Sequence, residues 1–279
     1  MTIDEIILQA LKEDVGDGDH TSLACVPKDS LGKAKLLVKQ EGIIAGVKLA
    51  EKVFFIVDEN MTFEELLQDG SKIKPGDIVF YISGKSQSIL KAERLVLNFM
   101  QRMSGIATIT NQFISKISDL KTKILDTRKT SPNLRIIEKW AVEIGGGFNH
   151  RMGLYDMILI KDNHIDFAGG IEKAIKSAHD YLKRENKLQL KIEIEARSIE
   201  DVKKILLYGG VHRIMLDNFN INDLKEAVML INNKFETEAS GGINIETVHQ
   251  VAETGVDYIS VGALTHHADS LDLSLKAVL

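Results

Sequence analysis

The sequence has a single cysteine, Cys25, among 279 residues. No disulfide can close within the chain, which fits a reducing cytoplasm better than secretion. No apolar run approaches the ~20 residues needed to cross a bilayer, so a membrane role is not expected. Basic residues are not in excess. Lys and Arg number 35 against 40 Asp and Glu, for a formal net charge of -5, which argues against a nucleic-acid partner. The first fifteen residues lack the basic start and unbroken apolar stretch of a signal peptide, because Asp4, Glu5, Glu13 and Asp14 interrupt them. A short amphipathic helix is expected there. A low-complexity linker is also missing. What remains is an ordinary globular composition, 44% hydrophobic and 27% charged, long enough for one large α/β domain or two smaller ones.

From residue 121 onward the chain has a regular rhythm. Apolar, β-rich segments recur at Lys123–Thr127, Asp156–Lys161, Leu190–Glu195, Arg213–Asp217, Phe235–Ser240 and Asp257–Val261. Helix-spaced segments separate them, at Leu134–Ile144, Ile171–Arg184, Ile199–Leu207, Asp223–Asn232 and Ile245–Glu253. Ser198 with Asp201 has the form of a capping box, and Asn244 can cap the helix after it. Strand–helix alternation implies a parallel sheet. In a barrel all strand tips converge on one rim, and six units predict an incomplete, open α/β barrel of about six to seven strands over residues 111–267. Residues 1–110 lack the rhythm. Strands at Lys33–Lys39, Gly42–Gly46 and Ile78–Ser83 and a long helix from Ser88 to Ile117 predict an N-terminal α+β sandwich domain. The alternating tail Leu271–Lys276 can return to its sheet, placing 268–279 there.

The tips carry the chemistry. Arg128 offers a planar fork for a carboxylate or phosphate, and Lys129 offers a point charge. Alone, such a pair would be an exposed loop. Here Gly145-Gly146-Gly147 leads into His150-Arg151, and Lys161 ends the next strand, so Arg128, Lys129, His150, Arg151 and Lys161 form a basic half-ring. The glycines admit close backbone approach to a ligand, or a helix end. Opposite lies an acidic half. Alternation puts Glu193 and Glu195 on one face and Ile192 and Ile194 on the other, while Asp217 and Glu238 lie at or near the next tips. Carboxylates facing a phosphorylated substrate suggest Mg²⁺, with Glu195 and Asp217 as ligands. Equally, the glutamates can pair with the basic half-ring. Ser240-Gly241-Gly242 and Ser260-Val261-Gly262, with His266 nearby, suit phosphate binding through backbone N–H groups. Asp17-Gly18-Asp19-His20 lacks the spacing of a calcium loop and reads as a turn, with Thr21 or Ser22 capping.

Ordered motifs running nearly end to end resemble quinolinate phosphoribosyltransferase, also called carboxylating nicotinate-nucleotide pyrophosphorylase. They are Glu13-Asp14, Gly18-Asp19-His20-Thr21-Ser22, Ala92-Glu93-Arg94, Ser104-Gly105-Ile106-Ala107-Thr108, Asp126–Thr130, Gly145-Gly146-Gly147, Asn149-His150-Arg151, Lys161-Asp162-Asn163-His164-Ile165, Leu216-Asp217-Asn218-Phe219, Ser240-Gly241-Gly242-Ile243 and Ser260-Val261-Gly262. The resemblance implies transfer of phosphoribose from 5-phosphoribosyl-1-pyrophosphate to quinolinate with decarboxylation, a step of NAD synthesis. It implies that Arg128, His150, Arg151 and Lys161 hold the quinolinate carboxylates, with Arg94 supplied by the partner in a homodimer. Lys129 would serve the pyrophosphate, Glu195 and Asp217 the Mg²⁺ and ribose hydroxyls, and Ser240, Gly241, Gly242, Ser260, Gly262 and His266 the 5′-phosphate side. Lys129, Lys161, Glu195 and Asp217 would be the catalytic set. His267 departs from the small hydroxyl residue many relatives carry. Three rival readings remain: a barrel aldolase or decarboxylase using Lys161 as a Schiff base, a molybdate-transport-associated paralogue, and a non-catalytic nucleotide-binding protein.

Overall fold

The computed structural model describes residues 1–278 and divides the chain into two compact units. The first comprises Met1–Asn111, Thr130–Gly146 and the segment from Leu264 on; the second comprises Gln112–Lys129 and Gly147–Ala263. In chain order the opening elements are α1 (Ile3–Val15), α2 (His20–Cys25), β1 (Leu31–Val38), β2 (Gly42–Ile43), α3 (Val47–Val57), β3 (Thr62–Glu65), β4 (Lys72–Ile73), β5 (Ile78–Lys85) and α4 (Ser86–Lys116). The repeating part follows: β6 (Lys123–Leu125), α5 (Arg135–Ile144), β7 (Ile158–Ile160), α6 (Asp162–Ala168), α7 (Ile171–Arg184), β8 (Ile192–Ala196) and α8 (Ile199–Tyr208). It continues with β9 (Arg213–Asp217), α9 (Ile221–Ile231), β10 (Glu236–Ser240), α10 (Val248–Ala252), β11 (Tyr258–Ser260), α11 (Ala263–His266) and β12 (Leu273–Ala277).

The first unit holds an antiparallel sheet in the order β12-β1-β5-β3. The tail strand β12 pairs with β1, Leu275 opposite Leu36. Phe54, Phe63 and Phe80 pack together beneath it, with the Phe54 and Phe80 rings edge to face at 6.0 Å. α1 opens with a complete capping box between Thr2 and Glu5. Several elements depart from the sequence expectation, among them β3 and β4, where no strand was expected. The expected turn is present at Gly16 and Asp17, but the cap of α2 is Asp19 and not Thr21 or Ser22, its carboxylate accepting the Ser22 amide at 3.1 Å. α3 was not foreseen, because its N-cap Gly46 provides no side-chain cap and so leaves no start signal. The strand expected over Gly42–Gly46 stops at Ile43, and the Ala45 amide turns to the Ser104 hydroxyl at 2.9 Å.

Helix α5, although it lies between two strands of the repeat, clusters with the first unit. Close approach explains this. A Cβ on Gly145 would sit 2.5 Å from the Ala107 carbonyl oxygen, so glycine is what lets the end of α5 lie against α4.

The second unit is a parallel sheet in the order β6-β11-β10-β9-β8-β7. It is open between β6 and β7, where only a single bridge, Leu125 to Phe148, extends the β6 edge. This is the incomplete α/β barrel of about six to seven strands expected from the strand–helix rhythm. Ser198 caps α8 by accepting the Asp201 amide. Ile192 and Ile194 are fully buried, as their alternation with the glutamates requires.

Candidate active site

Asp126, at the end of β6, is fully buried, and its carboxylate accepts the His150 amide at 2.9 Å. Its own amide donates to the Phe148 carbonyl at 3.1 Å. These two bonds pin Phe148–His150 alongside β6, which brings Arg151 toward Arg128. The charge of Arg128 helps push the Arg151 pKa below its ordinary value, second only to burial. Arg128 also has a buried Nε without a hydrogen-bond partner, and the buried Oδ1 of Asn149, the residue before His150, is in the same condition. Two guanidinium groups near one another with an unsatisfied donor are a site for an anion. Lys129 is exposed, its amide turned back to the Thr127 hydroxyl at 3.1 Å.

At the β7 tip, Lys161 is half exposed and its Nζ donates to Glu195 at 3.1 Å. The other Glu195 oxygen accepts the Asp162 amide at 3.0 Å. Asp217, at the β9 tip, is held above the usual carboxylate range, first by burial and then by the charge of Glu195. The Asn218 side chain donates to Asp217 at 2.8 Å. A carboxylate whose proton affinity is raised by the charge of a neighbouring carboxylate is relieved by a cation. A divalent ion that keeps several waters and takes few protein ligands fits this pair.

The Ser240 carbonyl accepts the Asn218 amide at 2.9 Å, locking the β9 and β10 tips together. Gly241 follows with a φ of +96°, and a Cβ there would lie 2.2 Å from the Asn218 Oδ1. Only glycine allows this turn. Ser260 is buried at the end of β11, with Gly262 two residues on.

Arg94 and His266 belong to the first unit, and both are exposed. The His266 ring meets His267 edge on, with centroids 4.0 Å apart. Sequence reasoning missed the anchor of this segment. Glu138, fully buried on α5, accepts from Arg102 Nε at 3.0 Å, from the Ser131 amide at 3.0 Å and from the Ser131 hydroxyl at 2.8 Å. Arg102 in turn donates to the Ala268 carbonyl at 2.7 Å and to the Thr265 carbonyl.

The remaining acidic residues form a buried cluster with His150. Its Nε2 lies 3.0 Å from Glu193 and 3.3 Å from Glu238, and neither glutamate side chain is exposed. The Arg213 Nη1 donates to Glu238 at 2.9 Å, its Nη2 donates to Glu236 at 3.1 Å, and the guanidinium stacks on Tyr258 at 4.0 Å. His150, Glu193 and Glu238 are close enough to hold a metal ion. Arg213 already bonds Glu238 from one side and the His150 ring closes the other side. The cluster is therefore an ion-pair network of the protein's own groups.

Protons in this cluster are shared. Burial opposes charge on His150, but Glu193 and Glu238 outweigh it and lift the ring to about 9. Burial, and then the charge of Glu238, push Glu193 up to about 7. The Arg151 amide donates to His150 Nδ1 at 2.7 Å, which leaves no room for a proton on that nitrogen. Nε2 therefore carries the ring proton that faces the two carboxylates, and the raised proton affinity is a property of His150, Glu193 and Glu238 together. Apparent values belong to the group as a whole. Both lie above their ordinary values of 6.5 and 4.5, so the linked stability is complete below those values and is lost as pH rises through about 7 and about 9. Thermal melts should therefore fall steadily from about pH 6 to 9.5, and Glu193→Gln should flatten that slope. An unchanged slope would contradict the shared proton.

An open parallel barrel with clustered guanidinium groups and facing carboxylates at its strand tips defines an enzyme for a polyanionic substrate. Residues 19–104 match the quinolinate phosphoribosyl transferase N-terminal domain, and residues 106–276 match its C-terminal domain. The chain is 50% identical over 98% of its length to quinolinate phosphoribosyltransferase [decarboxylating] 2b, mitochondrial, of Nicotiana tabacum, covering 81% of that protein. It is 40% identical over 96% of its length to a probable nicotinate-nucleotide pyrophosphorylase [carboxylating] of Bacillus subtilis, covering 90% of it. The solved nicotinate-nucleotide pyrophosphorylase of Francisella tularensis superposes with a TM-score of 0.92 at 38% identity, over 99% of this chain and 96% of that one. The chain belongs to the quinolinate phosphoribosyltransferase family.

Proposed function

We propose that the protein transfers the phosphoribosyl group of 5-phosphoribosyl-1-pyrophosphate to quinolinate, releasing pyrophosphate and CO₂ and forming nicotinate mononucleotide for NAD synthesis. The observation that carries this reading is the Arg128–Arg151 pair with its unsatisfied buried donor. A dicarboxylate brings two negative charges to two forks. Arg128, Arg151 and Lys161 hold the pyridine carboxylates, and Arg94 joins them from the partner in a homodimer. His150 belongs to this half. Lys129 faces the departing pyrophosphate. Ser240, Gly241, Gly242, Ser260, Gly262 and His266 receive the 5′-phosphate.

Glu195 and Asp217 hold Mg²⁺ and the ribose hydroxyls. The ion supplies charge neutralisation for the leaving pyrophosphate when bound. The two carboxylates stabilise the cation-like ribose C1 as the C1–O bond breaks. The pyridine nitrogen attacks C1 and becomes positively charged, which draws electrons from the adjacent carboxylate. CO₂ leaves and the ring carbon takes a proton. No covalent bond to the protein forms, so the work is positioning and electrostatics. Among the described residues no helix is long and apolar enough to cross a membrane. A cytoplasmic location is part of the proposal.

Incubation with quinolinate, phosphoribosyl pyrophosphate and Mg²⁺ should yield nicotinate mononucleotide and CO₂ in equal amounts, and a chelator should stop it. A folded protein that binds both substrates and releases no pyrophosphate would establish the non-catalytic reading instead. Borohydride with substrate should trap no adduct on Lys161, whereas an aldolase would be labelled.

A further inference from the structure

His150 is grouped above with the residues that hold the pyridine carboxylates, yet its side chain is only 6% exposed. Both ring nitrogens are occupied within the protein. Nε2 faces the carboxylates of Glu193 and Glu238 at 3.0 and 3.3 Å, and Nδ1 accepts the Arg151 amide at 2.7 Å. A ring with both nitrogens so occupied has no donor to turn toward a ligand. What it does offer is a fixed main chain at Arg151. That residue is tied a second time, by its Nη1 donating to the Met157 carbonyl at 3.2 Å. Behind the ring, Glu238 is anchored by Arg213 Nη1 at 2.9 Å. The order of contact therefore runs Arg213, Glu238, His150, Arg151.

We propose that Glu238 is a positioning residue for dicarboxylate recognition, holding the His150 imidazole, which in turn holds the backbone from which Arg151 reaches the substrate. His150 acts through Arg151 and not on the substrate. Glu193 shares the ring contact, but it lacks an Arg213 bond of the kind that fixes Glu238. The inference rests on the reading that Arg151 binds quinolinate.

Glu238→Gln keeps the shape and removes the charge. In the full chain it should raise the quinolinate Kd and KM about ten- to hundredfold, the factor that removing the hydrogen-bond partner of a metal-ligating side chain ordinarily costs. The KM for phosphoribosyl pyrophosphate should stay within about twofold. Because the two residues act in series, Glu238→Gln combined with His150→Asn should bind quinolinate no more weakly than His150→Asn alone. Additive losses would overturn the proposal, as would equal weakening of both substrates or wild-type quinolinate binding. If Glu238→Gln does not fold, Glu238→Asp, which withdraws the same charge by one methylene, replaces it with the same expectations. Wild-type protein run alongside separates the two claims. If it makes no nicotinate mononucleotide, the functional reading fails; if it does and Glu238→Gln matches it, only this inference fails.

Discussion

Arg151→Ala is expected to weaken quinolinate binding by roughly thirtyfold to a few thousandfold while the KM for phosphoribosyl pyrophosphate stays within about twofold. Truncating one member of a desolvated charge pair costs about 2–5 kcal/mol, and each ~1.4 kcal/mol is tenfold in affinity. Arg151 is half-buried, and its ordinary proton affinity is lowered by burial and by Arg128. The guanidinium thus sits where solvent screens it poorly and where an incoming carboxylate relieves repulsion between two cations. Arg151→Lys should fall between the two, because the charge remains but the fork is lost. Calorimetric titration of each variant with each substrate checks the expectation. Equal weakening of both ligands would show that Arg151 holds the site together and does not read quinolinate.

Arg213→Ala should be the most destabilising single change in the barrel, at about 3–5 kcal/mol. Arg213 bonds Glu238 and Glu236 and stacks on Tyr258. Without it, Glu193 and Glu238 face each other out of water with His150 as their only basic neighbour among the contacts described above. At about 2–4 °C per kcal/mol for a chain of this size, the melting temperature should drop by roughly 10 °C. Arg213→Ala combined with Glu238→Gln should recover part of the loss, since the uncompensated charge is then gone. A fall of less than about 1 kcal/mol, the ordinary worth of an exposed pair, would mean the network is solvated.

Much of the site was readable before the fold. The alternation in Leu190–Glu195 separates Glu193 and Glu195 from Ile192 and Ile194, and the structure buries all four. Arg128, Lys161 and Asp217 stand at the strand tips because parallel strands joined by helices must end on one rim, and Arg151 follows the Phe148 bridge beside β6. The roles of Glu193 and Glu238 were not readable. Their partner Arg213 opens a strand and looks like an ordinary solvated charge. It becomes central only because strand register sets it beside Glu193 on one side and Glu236 on the other. The Gly145-Gly146-Gly147 run left two readings open, ligand approach or a helix end. The structure uses Gly145 for contact with Ala107 and gives Gly146 a φ of +94°.

The basic run from Asp126 to His164, the facing carboxylates and the order of strands and helices follow from local periodicity, which any chain of this pattern must obey. The inward turn of His150, the anchoring of Glu238 by Arg213 and the clamp between Arg102 and Glu138 depend on register between strands and on contacts between residues far apart in the chain. Local spacing carries no information about which distant charge will arrive opposite a buried one. Tertiary packing decides that, because burial makes an unpaired charge too costly to keep.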